Sequence, residues 1–231
     1  MSIQSNIDEI RKRMADACQR SGRSIDSVQL IAVTKTLEPD TMLKAIEYGA
    51  RVVGENKVQE ILRKFDAIPS DVQWHLIGHL QTNKVRQILD YVVLIHSVDS
   101  VSLATEIQKR AEKSSRIVDI LIEVNVAQEE SKHGLKLGDV EPLLREIESM
   151  KNIRVCGLMT VAPFTDDPED VRIYFKELKQ LFDHLKGVKL ENVKMEILSM
   201  GMTNDYEVAI EEGATLIRVG TGIFGERDYH L

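Results

Sequence analysis

Two periods alternate along the chain. Short apolar runs, of the kind that form strands buried on both faces, are each followed by stretches whose apolar positions recur every three or four residues. The N-terminus shows only the second pattern. Ile3, Ile7, Ile10, Met14 and Ala17 fall on one face of a helix, with charges of both signs on the other. Ser21-Gly22-Arg23 interrupts it. From there the pattern predicts strands at 28–33, 51–54, 73–77, 92–96, 117–126, 153–159, 194–198 and 216–219. The helices predicted between them lie at 41–48, 57–65, 82–89, 101–114, 140–150, 168–186 and 205–212, and Val171, Phe175, Leu178 and Phe182 share one face of the longest.

Strict alternation of strand and helix means a parallel sheet with helices outside. Eight such units, at roughly 25–30 residues each, favour closure into a (β/α)8 TIM barrel over an open doubly wound sheet. No linker rich in Pro, Gly or Ser divides the chain, and no repeat or low-complexity segment is evident. The expected fold is therefore α/β: a single TIM-barrel domain over 1–231, with an N-terminal helix, 1–21, packed on the barrel.

Composition narrows the function. The 231 residues carry a net charge of −7, which argues against nucleic acid as the main partner, since phosphate binding needs a basic face. Cys18 and Cys156 are far apart and form no CxxC pair, which suits a reducing compartment. No apolar run approaches the ~20 residues needed to cross a bilayer. The N-terminus lacks the apolar core of a signal peptide, and Asp8, Glu9 and Asp16 count against a transit peptide. A cytoplasmic protein without a membrane or nucleic-acid partner is expected, and a monomer is the first expectation.

In a barrel of this kind the active face is built from the strand C-termini and the loops after them. The first strand, in LIAVTKT, ends at Thr34-Lys35-Thr36. A lysine there is costly to bury without a partner or a chemical task. It is either an ordinary lysine leaving the sheet or a Schiff-base lysine kept nucleophilic by its surroundings. The loops after strands seven and eight are the usual phosphate site of this architecture. Ser199-Met-Gly-Met-Thr203 brings hydroxyls and a glycine, with Thr203 placed to cap the helix starting at Asn204-Asp205. Gly220-Thr221-Gly222 lets backbone amides approach a ligand from the other side.

Arg218 shares a strand face with Leu216 and Gly220. If that face is the barrel interior, the guanidinium needs a partner, either a carboxylate such as Glu123 or Glu196 or a ligand beneath the phosphate. Other signals fail. Gly220-Thr-Gly-Ile-Phe-Gly225 matches G-x-G-x-x-G, but six residues follow it here, so neither a βαβ unit nor a ribose-binding acid is expected downstream. The six histidines show no paired metal spacing. His79 and His133 fall in active-face loops where they can touch a ligand, whereas His75 and His96 read as strand residues with structural partners.

A strand-end lysine, a phosphate cup and a nearby buried arginine suit pyridoxal 5′-phosphate (PLP), which needs an amine for its aldehyde, an anion site and a partner for its ring nitrogen. AVTKT, GENKVQE, HLIGHLQTNK, NVAQEESKHG, GLMTVAP and LSMGMTNDYEVAIEEGATLIRVGTGIFGERDY together resemble the pyridoxal phosphate homeostasis protein family over nearly the whole chain. The resemblance implies a fold-type III barrel related to the N-terminal domain of alanine racemase, with PLP held as a Schiff base on Lys35. By the same match Arg218 would face the pyridine nitrogen, and Thr203, Gly220 and Thr221 would hold the phosphate. Ser199 and Asn56 are carried over from their motifs. Thr203 departs from the serine common in the family but keeps the hydroxyl.

The family implication is PLP binding, storage and delivery to PLP-dependent apoenzymes, in vitamin B6 homeostasis without robust catalysis. Racemases of this fold use a second acid–base group, a tyrosine, from an additional C-terminal β-domain of the partner subunit, and this chain is expected to lack that domain. Tyr206 and Tyr229 are read as packing or capping residues. The alternative is a PLP-dependent amino-acid racemase of the alanine-racemase type, and a phosphosugar-binding barrel with a plain lysine stands behind it.

Overall fold

Eight parallel strands hydrogen-bond in sequence order and close on themselves, the last pairing with the first. The strands are β1 Gln29–Val33, β2 Val52–Glu55, β3 Gln73–Leu76, β4 Leu94–Val98, β5 Val118–Glu123, β6 Ile153–Met159, β7 Val193–Met202 and β8 Leu216–Val219. The helices are α1 Ile3–Arg20, α2 Pro39–Glu47, α3 Val58–Lys64, α4 Val85–Ile88, α5 Val101–Lys113, α6 Val140–Ile147, α7 Arg172–Lys186, α8 Tyr206–Glu211 and α9 Thr221–Phe224. These come from a computed structural model that describes residues 2–226. Tyr229 and His230 lie outside the described residues.

The expected (β/α)8 barrel is what forms. Helix α1 is capped by Ser2, whose hydroxyl accepts from the Ser5 N–H at 3.1 Å. It buries Ile7, Ile10, Met14, Ala17 and Cys18, the large side chains contributing roughly 1.5–3 kcal/mol each. It packs on α8 and α9, and Asn6 Nδ2 donates to the Ile223 carbonyl at 2.8 Å. The segment after β8 is thereby tied to the start of the chain.

Two apolar regions follow from strand alternation. The larger lies between the strands and the helices. The smaller fills the barrel interior with Ile31, Val52, Leu94, Leu121, Cys156, Met159 and Leu216. Leu216 and Arg218 share the inward face, as the alternation predicts.

Some expectations change: the strand read at 117–126 ends at Glu123, and of the helix read at 82–89 only Val85–Ile88 is α-helical. The residues 199–202, read as a loop, belong to β7, which pairs with β8 across a register shift between Ser199 and Met202. Gly201 makes the bend possible: its φ is +89°, and a Cβ there would stand 2.5 Å from Ala209 Cβ. Strand β4, read at 92–96, runs from Leu94 to Val98, its pairing with β5 carrying on to Val98. Helix α9, read as loop, follows β8 directly. No helix among the described residues is long and apolar enough to cross a membrane.

Candidate functional site

Lys35 stands two residues beyond β1. Thr34 O accepts from the Leu37 N–H at 3.1 Å, which makes Lys35 and Thr36 the central residues of a turn. Thr36 has φ +64°, a left-handed conformation that a β-branched residue adopts only under constraint. The residue that opens the turn is held from beneath. The Thr34 hydroxyl donates to Glu55 Oε1 at 2.8 Å, and Lys64 Nζ donates both to that oxygen, at 2.8 Å, and to the Thr34 carbonyl, at 3.1 Å. All three residues are fully buried. Burial pushes the Glu55 carboxyl up, and the Lys64 contact opposes it. No local sequence signal marks this support. Lys64 sits four residues after Glu60 and reads as an exposed i,i+4 pair, which it also makes, at 2.8 Å.

Lys35 faces a cavity of about 500 Å³, a size usual for a small-molecule site. Its wall also contains Thr203, Arg218, Gly220 and Thr221. Five of the seven predicted site residues therefore meet around one space at the ends of β1, β7 and β8. Asn56 does not join them; it is exposed. Lys132, Glu129 and Asp205 are wall residues that strand ends alone did not single out. Lys132 Nζ donates to Glu129 Oε1 at 2.6 Å and to the Ala162 carbonyl at 3.2 Å.

Thr203 does not cap α8. The cap position belongs to Asp205, which makes no side-chain cap bond and instead accepts from the Met202 N–H at 2.6 Å. The Thr203 hydroxyl accepts from Thr221 Oγ1 at 3.2 Å and from the Gly222 N–H at 3.3 Å. The two late loops are thus joined through the hydroxyls expected to meet a phosphate.

Ser199 also has another place. It is fully buried in β7 and is not part of the cavity wall. Arg218 Nη1 donates to Ser199 Oγ at 2.5 Å, and Nη2 donates to the Thr160 carbonyl at 2.7 Å. Ser199 Oγ is 3.0 Å from His96 Nδ1, and His96 Nε2 is 3.0 Å from His75 Nδ1. With Arg218 donating to it, Ser199 still has its own proton to place, and His96 Nδ1 is the acceptor in reach. His96 then donates from Nε2 to His75. Burial lowers the His75 pKa to about 4 and holds His96 well below its ordinary value, so both rings are neutral at pH 7.

Of the two partners left open for Arg218, the carboxylate of Glu123 or Glu196 is not what the structure holds. Its partners are a hydroxyl and a carbonyl, and Glu196 pairs with Lys194 at 2.6 Å. Burial pulls Arg218 down to about 10, which leaves it protonated at neutral pH. His75 and His96 have the structural partners expected of them. His79 and His133 stack on each other with ring centroids 3.9 Å apart.

The family model described as alanine racemase, N-terminal domain, matches residues 2–228. The pyridoxal phosphate homeostasis protein of Aquifex aeolicus is 45% identical over 230 residues, covering 99% of this chain and 100% of that protein. The chain belongs to this family.

The homeostasis protein of Escherichia coli strain K12 is 34% identical, covering 98% of this chain and 97% of its own length. Among solved structures, PipY of Synechococcus elongatus PCC7942 with PLP bound superposes with a TM-score of 0.80 at 33% identity, covering 94% of this chain and all of PipY. Alanine racemase from Streptomyces coelicolor shares the fold, with a TM-score of 0.67 at 16% identity, and this chain covers 58% of its length. The homeostasis family thus matches end to end, and the racemase matches through its barrel.

Proposed function

We propose that this chain binds pyridoxal 5′-phosphate in the cavity between β1, β7 and β8 and serves PLP homeostasis instead of turnover. The observation that carries the reading is one cavity walled by an amine, a protonated guanidinium and two hydroxyls, from Lys35, Arg218, Thr203 and Thr221. That donor set fits the three polar parts of the cofactor. Relatives over the full length are named for PLP homeostasis, and PipY was solved with PLP bound.

When bound, PLP supplies an aldehyde for an amine and an electron-withdrawing ring. Lys35 would hold the aldehyde covalently, at a turn braced by Thr34, Glu55 and Lys64. Thr203, Gly220 and Thr221 would hold the phosphate. Arg218 would meet the ring nitrogen only as a donor. It would therefore leave that nitrogen unprotonated and weaken the electron withdrawal on which carbanion chemistry depends. Ser199 would act through Arg218, fixing the guanidinium in place.

The racemase alternative asks for a second proton-transfer group beside Lys35. Among the described residues the cavity wall contains no tyrosine and no histidine. Its other ionisable side chains are Glu129, Lys132 and Asp205. Lys132 is held by Glu129 and a carbonyl, and Asp205 by the Met202 N–H. Delivery to PLP-dependent apoenzymes and a monomeric, cytoplasmic state are part of the same proposal. Phe164, 82% exposed at the cavity rim, offers an apolar contact to a receiving enzyme.

The purified protein, loaded with PLP and dialysed, is expected to retain the visible absorption of bound PLP. It should exchange the Cα hydrogen of amino acids far more slowly than the ~1 s⁻¹ at the low end of enzyme turnover. Loss of the absorption would refute binding, and exchange at enzymatic rates would refute the non-catalytic role.

A further inference from the structure

A second cluster lies on the same end of the barrel, outside the cavity wall. His79 comes from the loop after β3, Asp99 directly follows β4, and His133 lies in the loop after β5. The two imidazoles stack with their planes 12° apart. His79 Nδ1 is 3.9 Å from Asp99 Oδ2, beyond hydrogen-bond reach, so these groups do not satisfy each other. One ligand atom from each of the three residues lies within 4.8 Å of the others.

We infer that His79, Asp99 and His133 form a binding site for a first-row divalent transition-metal ion of the zinc class. Two imidazole nitrogens and one carboxylate oxygen are borderline donors that suit Zn(II), Co(II) or Fe(II), whereas Mg(II) and Ca(II) prefer all-oxygen sets. Bonds of about 2.0–2.2 Å around a tetrahedral ion put ligand atoms roughly 3.3–3.6 Å apart. The three groups need to close by about 1 Å, and because each ring's lone pair lies in its own plane the stacked imidazoles must also turn out of parallel to share one ion; both histidines are exposed and able to turn about their side-chain bonds. Three protein ligands leave the fourth position to water or an anion.

The backbone around the cluster is held in place. Asn125 Nδ2 donates to the Glu129 carbonyl at 2.8 Å and the Lys132 carbonyl at 3.3 Å, and Glu123 O accepts from the Leu135 N–H at 2.9 Å. Gly134, with φ +108°, lets the chain pass where a Cβ would stand 2.8 Å from Asn125 N. His133 is thus presented on a fastened loop whose neighbours Lys132 and Glu129 wall the cavity. A metal ion would staple the ends of β3, β4 and β5 and fix that wall.

The test is a titration of the chelator-treated full-length chain with Zn(II) alone, followed by calorimetry, and with Co(II) alone, followed by its ligand-field absorption. One equivalent is expected to bind at or below about 10 μM. His79→Ala and His133→Ala should each weaken binding about tenfold or more, with metal-free melting temperatures unchanged. Lys35→Ala should bind the metal as the parent does, which separates this site from metal held by PLP and its failure from failure of the cofactor reading. Binding weaker than about 10 μM, binding unaltered in the His79→Ala/His133→Ala double variant, or binding lost in Lys35→Ala would each overturn the inference.

Discussion

Arg218 Nη1 donates to Ser199 Oγ at 2.5 Å, and through that hydroxyl the guanidinium at the cavity is joined to two buried histidines. The contact turns a hydroxyl expected at a phosphate into the support of the group expected at a ring nitrogen. Ser199→Ala leaves a buried Arg218 donor and His96 Nδ1 each short of a partner. A loss of about 2–4 kcal/mol in urea unfolding is expected, with faster release of PLP from protein that still captures it. An unchanged unfolding midpoint would mean that the Ser199 contact bears no load.

The histidine pair gives the barrel an acid-side weakness. The folded pKa of His75 is lowered by burial from 6.5 to about 4. Between these values the unfolded chain binds a proton that the folded chain refuses, so stability rises with pH across the window and is lost as pH falls through it. The shift corresponds to something on the order of 3 kcal/mol. Glu123, raised by burial to about 7, works in the opposite sense. His75→Gln removes only the first contribution. Unfolding curves at pH 4 and pH 7 should therefore show parent and variant converging towards pH 4; a constant gap would refute a neutral buried His75.

Thr203 and Thr221 test the phosphate cup separately from the lysine. Thr203→Val removes the acceptor shared by Thr221 and Gly222. PLP binding should weaken by about tenfold or more, the equivalent of one lost hydrogen bond to a charged group. Pyridoxal, which lacks the phosphate, should bind parent and variant alike within about twofold. Equal losses for both ligands would place the phosphate elsewhere.

How far the sequence reveals the fold depends on which signal was local. Strand–helix alternation is local, and it gives eight strands, their order and the inward face of Arg218. The continuation of β7 through Ser199–Met202 is not local, since it depends on a bend at Gly201 and on pairing with β8. That Lys35, Thr203, Arg218, Gly220 and Thr221 wall one cavity is legible because each lies at a strand end or beside a glycine. Lys64 is not, because a buried lysine and a solvated one look alike in a helix until its partner Glu55 is placed beneath it. The His79–Asp99–His133 cluster draws on three separate loops and carries no sequence spacing of its own.

Lys35 and Lys132 both wall the cavity, and the central claim is that Lys35 alone takes the cofactor. Lys132 is paired with Glu129 and the Ala162 carbonyl. Borohydride reduction of the PLP-loaded protein, followed by peptide mass mapping, distinguishes them. A reduced pyridoxyl group on Lys35, absent from a folded Lys35→Ala variant, is the result this account predicts. A label on Lys132, or no label on a protein that retains PLP, would contradict it.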